Sequence, residues 1–481
     1  MPYRHECTMR RLSAAAPMRD PSAIPAVQWP DKERDAMTTD SLGNPVSYRD
    51  QAAIAGLEAA VVKLHGYQAD PIADIDAVLA EHPDFAMAHA FRAGALAAAA
   101  DRAFEPELLR SLAAAEALAP QANERERGHI AAARAWARGD ITGATELWGR
   151  TAMEHPRDLL AVQLGQIGDF MLGYSHMLRD RVARVLPHWH RGMPGHGFIL
   201  GMHAFGLEEC GDYARAEASG REAVALNPRD GWAVHAVAHV LEMEGRTGEG
   251  IAWLGDTVGS WAPGNMFAFH NWWHLGLFHL DRGEIAEVLR LFDEGVAGGG
   301  FGQALELVDG AAMLWRLHVL GHDVGGRWSR VMPGWSARIE DRVFAFNDLH
   351  AMMAFIGTDD QAAQRALLAS LMRAAEGEGT NAMMAREVGL PACRGFAAFG
   401  RGDYAAAITE LLPLRGKASR FGGSHAQRDV LSWTLVEAAI RLGDRPLAEG
   451  LLAERLAAKP KSPVNLGWAR RSAALAERHA A

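Results

Sequence analysis

Cysteine is scarce in this chain of 481 residues: only Cys7, Cys210 and Cys393 occur. An odd, sparse set builds no disulfide framework and points to a reducing compartment, read here as the cytoplasm. No stretch reaches about 18 uninterrupted apolar residues, so no membrane span is expected. The opening MPYRHECTMRRLSAAAP carries charges but no apolar core, and so does not read as a secretory signal. Basic excess is missing too. Lys and Arg number 49 against 59 Asp and Glu, for a formal net charge of −10. A nucleic-acid binder shows a basic stripe instead, and Arg10-Arg11 and Arg470-Arg471 are too short to make one. No P-loop and no GxGxxG fingerprint is present, and Ala follows His235, so the HExxH protease signature fails.

What is present is helix. The hydrophobic fraction of 49% and charged fraction of 22% are ordinary globular values, which excludes a mainly disordered chain. Residues 1–44, rich in Pro, Arg, Asp and Ser without periodicity, are expected to form a disordered N-terminal tail. From about residue 48 onward apolar residues recur at three- and four-residue spacing. Segments such as PELLRSLAAAEALA favour helix, and β-branched residues are few. Short breaks, HPD at 82–84, HPRD at 155–158, NPRD at 227–230 and KPKSP at 459–463, end one helix and cap the next.

A repeat runs through these helices. Glycines 139, 173, 211, 245 and 283 are spaced by 34, 38, 34 and 38 residues. GDITGATELWGRTAMEHP and GDYARAEASGREAVALNP start successive copies, and GDYAAAITELLP at 402–413 starts another. The 34-residue period, Gly-Asp-Tyr at a turn and a closing Pro resemble the tetratricopeptide repeat (TPR). The expected fold is all-α, a TPR-like α-solenoid of helix–turn–helix units in a right-handed superhelix, closed around a central pocket if one turn is completed. Residues 45–481 are expected as one such domain, with clear repeats at about 124–290 and 390–460. Between about 284 and 400 the period fades, and 295–302 and 376–381 look like loops.

The chemistry concentrates in histidine, of which there are 21. DGWAVHAVAHVLEMEGR places His235, His239 and Glu242 on one helical face. Counting from Gly245 puts them on the concave side, with Val234, Val237, Ala238 and Leu241 in the core. The next first-helix, NMFAFHNWWHLGLFHLDRG, carries His270, Trp273 and His274 on the same side. Glu208 comes from the helix before. Two imidazoles four apart with a carboxylate one turn on can hold a divalent metal, zinc first, through His235, His239, Glu242 and His274. A metal-free reading uses His paired with Glu as general acid or base.

Other candidates lie further on. Asp348 and His350 share a helix. GGSHAQRDV at 422–430 places Gln427, Arg428 and Asp429 at a helix start, where free amides and Arg428 could hold an anion. Cys393 reads as inert packing.

The segments SHMLRDRVARVLPHW, NPRDGWAVHAVAHVLEM, HNWWHLGLFHL, LVDGAAMLWRL, FNDLH, REVGLPACR and GGSHAQRDV resemble the tetratricopeptide repeat protein 38 family over about residues 45–440. The resemblance implies a helical-repeat, cytosolic protein and carries no established reaction. Its pattern includes Asp230, Trp232, Asp309, Arg316, Asn347 and Ser424 beside the histidines.

Two functions follow as expectations. One is a small-molecule pocket with hydrolytic or proton-transfer chemistry. His235, His239, Glu242, His270, His274 and His350 are its catalytic candidates, and Trp232, Trp273, Asp348, Gln427, Arg428 and Asp429 its substrate contacts. The other is a peptide-binding TPR scaffold. Neither involves nucleic acid or membrane; association of like chains stays open.

Overall fold

Aspartate opens many of the helices. Asp140, Asp158, Asp230, Asp403 and Asp444 each accept a backbone N–H one turn into the helix they precede. That satisfies one of the amides every helix start leaves free. Glycine sets the turns. Gly139, Gly173, Gly211, Gly245, Gly283, Gly402 and Gly443 all sit at positive φ, which a residue with a Cβ adopts only at a cost. The glycine ladder of the sequence is therefore the ladder of turns.

The computed structural model describes residues 38–479. Of the tail expected over 1–44, residues 1–37 lie outside the described residues, as does Cys7. Residues 38–44 are not disordered: Thr38–Thr39 pairs antiparallel with Pro45–Val46, and Asn44 Nδ2 donates to the Arg157 carbonyl at 3.1 Å. Apolar periodicity does not mark this segment, because it is held by hydrogen bonds and not by an apolar stripe.

The described chain is a TPR-like α-solenoid. Antiparallel pairs follow one another: Glu124–Ala137 with Ile141–Glu154, Leu159–Leu172 with Ser175–Val185, His196–Glu209 with Tyr213–Leu226, and Gly231–Met243 with Thr247–Gly255. Ala268–Asp281 with Ile285–Leu291 and Leu390–Gly400 with Tyr404–Leu411 continue the pattern. The region where the period fades is still helical, through Ala304–Val319, Ala345–Gly357 and Gln361–Glu376. Small residues let helices approach closely: a Cβ on Gly250 would lie 2.2 Å from the Phe278 ring. Val234, Val237, Ala238 and Leu241 are buried with Leu254, Trp261 and Phe278. Among the described residues no helix is long and apolar enough to cross a membrane.

The coil closes on itself. The turn after the first long helix, Gln51–His65, meets the loop before Ala268–Asp281: Met266 N donates to Tyr67 O at 2.6 Å, and Ala69 N to Gly264 O. Thr380 N donates to Gly139 O, and Ala304 N to Asp101. The helix His425–Leu442 packs against Ala304–Val319 and reaches Gly231–Met243 and the end of His196–Glu209. His425 N donates to Glu209 Oε1 at 2.8 Å, and Arg316 donates to the Ala426 carbonyl at 2.7 Å. His425–Leu442 thus packs back onto the helices that carry Glu209 and Arg316.

Candidate functional site

Four stacked helices, His196–Glu209, Gly231–Met243, Ala268–Asp281 and Ala304–Val319, aim polar side chains at one another. The spacing of four puts His235 over His239 and His270 over His274, and the stacking of neighbouring hairpins sets the two pairs face to face. Ring centroids lie 4.3 to 5.0 Å apart for His235–His239, His239–His274, His235–His270 and His235–His274. One nitrogen from each of the four rings falls within 4.8 Å of the others. All four rings are buried.

Each flank of the cluster is carboxylate. Asp309 Oδ2 accepts from His270 Nδ1 at 2.6 Å. Glu242 Oε2 accepts from His274 Nδ1 at 3.1 Å, while its other oxygen takes Lys459 Nζ at 3.3 Å. Glu208 Oε2 lies 3.3 Å from His239 Nδ1, without hydrogen-bond alignment. Aromatic rings seal the rest. Trp273 stacks on His270 at 5.2 Å, and the Arg316 guanidinium also lies over its ring at 5.2 Å.

The electrostatics follow from burial. Loss of water pushes His239 down to about 4. His235 and His274 fall well below the ordinary histidine value for the same reason, and the neighbouring imidazoles add to it. These rings are neutral. Burial raises Glu208 well above the carboxylate range, with Glu209 adding to it. Arg316, buried beside Trp273, is lowered to about 10.

Next to the cluster is a chamber of about 140 Å³. Its walls are largely aromatic, with Tyr67, Phe170, Phe198, Trp232, Phe267 and Phe344 among them. Polar side chains interrupt that lining, among them His65, Gln163, Gln166, Asp230, His235, His270, Asp309 and Gln427. Asp230 Oδ1 caps its helix by accepting Ala233 N at 3.0 Å; its Oδ2 has no partner. Burial pushes this carboxyl up to about 7.

The sequence candidates divide. His235, His239, Glu242, His270 and His274 come together, and Trp232, Trp273 and Gln427 adjoin them. Gln427 also closes a capping box with Ser424. His350 and Asp348 lie on Ala345–Gly357, outside the chamber lining; His350 Nδ1 is bound to Phe346 O at 2.8 Å. Burial raises Asp348 to about 7. Arg428 and Asp429, expected as substrate contacts, are already paired. Arg428 approaches Glu209 at 3.5 Å and donates to Gly423 O; Asp429 holds Arg455 at 2.5 Å and Trp433 Nε1 at 2.8 Å. Tyr67 was missed. It reaches the chamber from a turn some 160 residues upstream of Trp232, and no local pattern marks it.

The repeats define the class as a TPR-like helical-repeat protein. No family model matches the chain. Among solved structures it is similar to yeast Tom70, at 12% identity over 89% of this chain and 88% of that one, TM-score 0.32. It is also similar to human IFIT1 dimers: with m7Gppp-AAAA, 15% identity over 81% of this chain and 90% of that one, TM-score 0.33; with PPP-AAAA, 12% over 92% and 96%, TM-score 0.37.

Proposed function

We propose that this protein binds a small, mainly apolar molecule in the aromatic chamber. The single observation that carries the reading is an aromatic-rich internal space in which a few buried polar atoms, Gln163 Oε1, Asp230 Oδ2 and His235 Nδ1, have no partner. Ligand sites combine an apolar lining with a few polar groups that fix orientation in this way. At about 140 Å³ the space suits a molecule of one or two rings; an engineered apolar cavity of about 150 Å³ takes benzene.

A second reading, proton transfer on that molecule, is favoured by Asp230. Its raised value of about 7 keeps both protonation states within reach near neutral pH. The peptide-scaffold alternative requires an open groove along the repeats; His425–Leu442 packs against that row of helices at Glu209 and Arg316. Membership of the tetratricopeptide repeat protein 38 family belongs to the same proposal. Two segments that carry the resemblance, NPRDGWAVHAVAHVLEM and HNWWHLGLFHL, supply Asp230, Trp232, His235 and His270 to the lining.

Calorimetric titration with benzene, indole and anthracene tests the reading. Benzene and indole bind and raise the melting temperature; anthracene does not. Met202 is buried in the lining, so Met202→Trp fills the chamber and abolishes uptake. Equal uptake by a folded Met202→Trp protein refutes the pocket.

A further inference from the structure

We propose that His235, His239, His270 and His274 bind one divalent transition-metal ion, zinc or another imidazole-preferring metal. The ion would tie together the hairpins that begin with Gly231–Met243 and Ala268–Asp281. The proposal is independent of what fills the chamber.

Geometry carries it. His235 Nε2 and His270 Nε2 are 3.2 Å apart. A tetrahedral zinc shell with bonds of about 2.0–2.1 Å spaces its nitrogens about 3.3–3.4 Å apart. One edge of the tetrahedron is therefore formed. The remaining nitrogens, all within 4.8 Å, need to close by about 1.5 Å or less, within reach of small ring rotations.

The hydrogen-bond inventory points the same way. Asp309 and Glu242 hold the outer nitrogens of His270 and His274, and Glu208 stands beside that of His239. Metal-bound histidines are oriented by just such carboxylates. The inner nitrogens are different. Nε2 of His239 and Nε2 of His274 are buried with no partner in the protein. A hydrogen bond between the two rings accounts for the His235–His270 contact alone. It leaves His239 and His274 with buried lone pairs unmet, a costly arrangement. A cation at the centre meets all four.

The ligand set differs from the sequence expectation. Glu242 is spent on His274 and Lys459, so it orients a ligand, and His270 takes its place at the centre. Four imidazoles fill a tetrahedral shell. Such an ion has no vacant position and serves as a staple between repeats.

The test uses the full chain, stripped with a chelator and titrated with cobalt(II), then zinc(II), without any organic ligand. The expected result is one cobalt per chain with the intense visible bands of tetrahedral coordination, displaced by zinc. His239→Gln/His274→Gln lowers uptake at least tenfold. Asp309→Asn weakens affinity by about 10–100-fold. His318→Gln, on another face, leaves uptake unchanged. A folded wild-type chain that takes up neither metal stoichiometrically overturns the proposal, as does undiminished uptake by the folded double variant. Should that variant not fold, X-ray absorption of the zinc-loaded wild type decides: four imidazoles support the site, and an oxygen-rich shell refutes it.

Discussion

Replacing Asp230 by Asn tests the electrostatics of the chamber directly. Asn keeps the oxygen that caps Gly231–Met243 and mimics the protonated acid in size. What it removes is titration. The folded carboxyl sits at about 7 against an ordinary 3.8, a rise of about three units, and each unit is worth about 1.4 kcal/mol. Because the folded value is raised, the acid's contribution is fully present below pH 3.8. It is lost as pH climbs to about 7. Above that the wild type should be the less stable of the two by about 4 kcal/mol. For roughly 440 ordered residues the unfolding entropy near the midpoint is about 0.9 kcal/mol/K, so the melting temperatures should separate by about 4–5 °C. Buried neutral histidines such as His65 and His239 pull the wild-type curve the other way between about pH 4 and their ordinary value. The quantity to read is therefore the difference between the two proteins, followed by calorimetry from pH 4 to 8.5 without ligand. Near-coincidence at pH 4 and a gap opening toward pH 7.5 are expected. Parallel curves across the range would refute the reasoning.

Other perturbations follow from the packing. Asp158 is wholly buried between Arg125, at 2.5 Å, and His129, at 2.8 Å. Burial alone would raise its carboxyl; Arg125 and His129 outweigh it and hold it far below the usual range. Asp158→Ala should cost about 3–5 kcal/mol in urea unfolding by removing the nearest carboxylate from buried Arg125, which keeps only the more distant Asp40 and the Pro45 carbonyl, and in the wild type this contribution fades as pH falls below about 4. A Cβ at Gly250 meets the Phe278 ring, whereas one at Gly248 meets nothing. Gly250→Ala should lose about 1–3 kcal/mol and Gly248→Ala gain about 0.4–1 kcal/mol, read as melting shifts of opposite sign. Gly173 combines φ +67° with a Cβ site 1.8 Å from the Ser419 carbonyl. Gly173→Ala should loosen the joint between the two halves, seen as faster amide exchange at Gly422.

Much of the fold was legible because helices advertise themselves locally. Three- and four-residue spacing, aspartate caps and turn glycines act within one or two turns, and all are written in consecutive residues. The same holds for half of the cluster. His235 with His239, and His270 with His274, share a face by spacing alone. The period faded at 284–400 because a π-helical turn at Phe292–Val296 and the 3-10 turn Gly325–Arg327 displace the register there, although helices continue.

The amino-acid order by itself determined an all-helical coil of repeats with two histidine pairs on its inner face. Only the closed tertiary structure decided which groups meet across that face. It put Asp309 behind His270, turned Glu242 to Lys459, paired Arg428 with Glu209, and brought Tyr67 from the first turns to wall the chamber. The physical reason is range. Backbone hydrogen bonding and side-chain periodicity are set by near neighbours. The partner of a buried charge, and the shape of the space between distant helices, depend on how the whole coil curves back on itself.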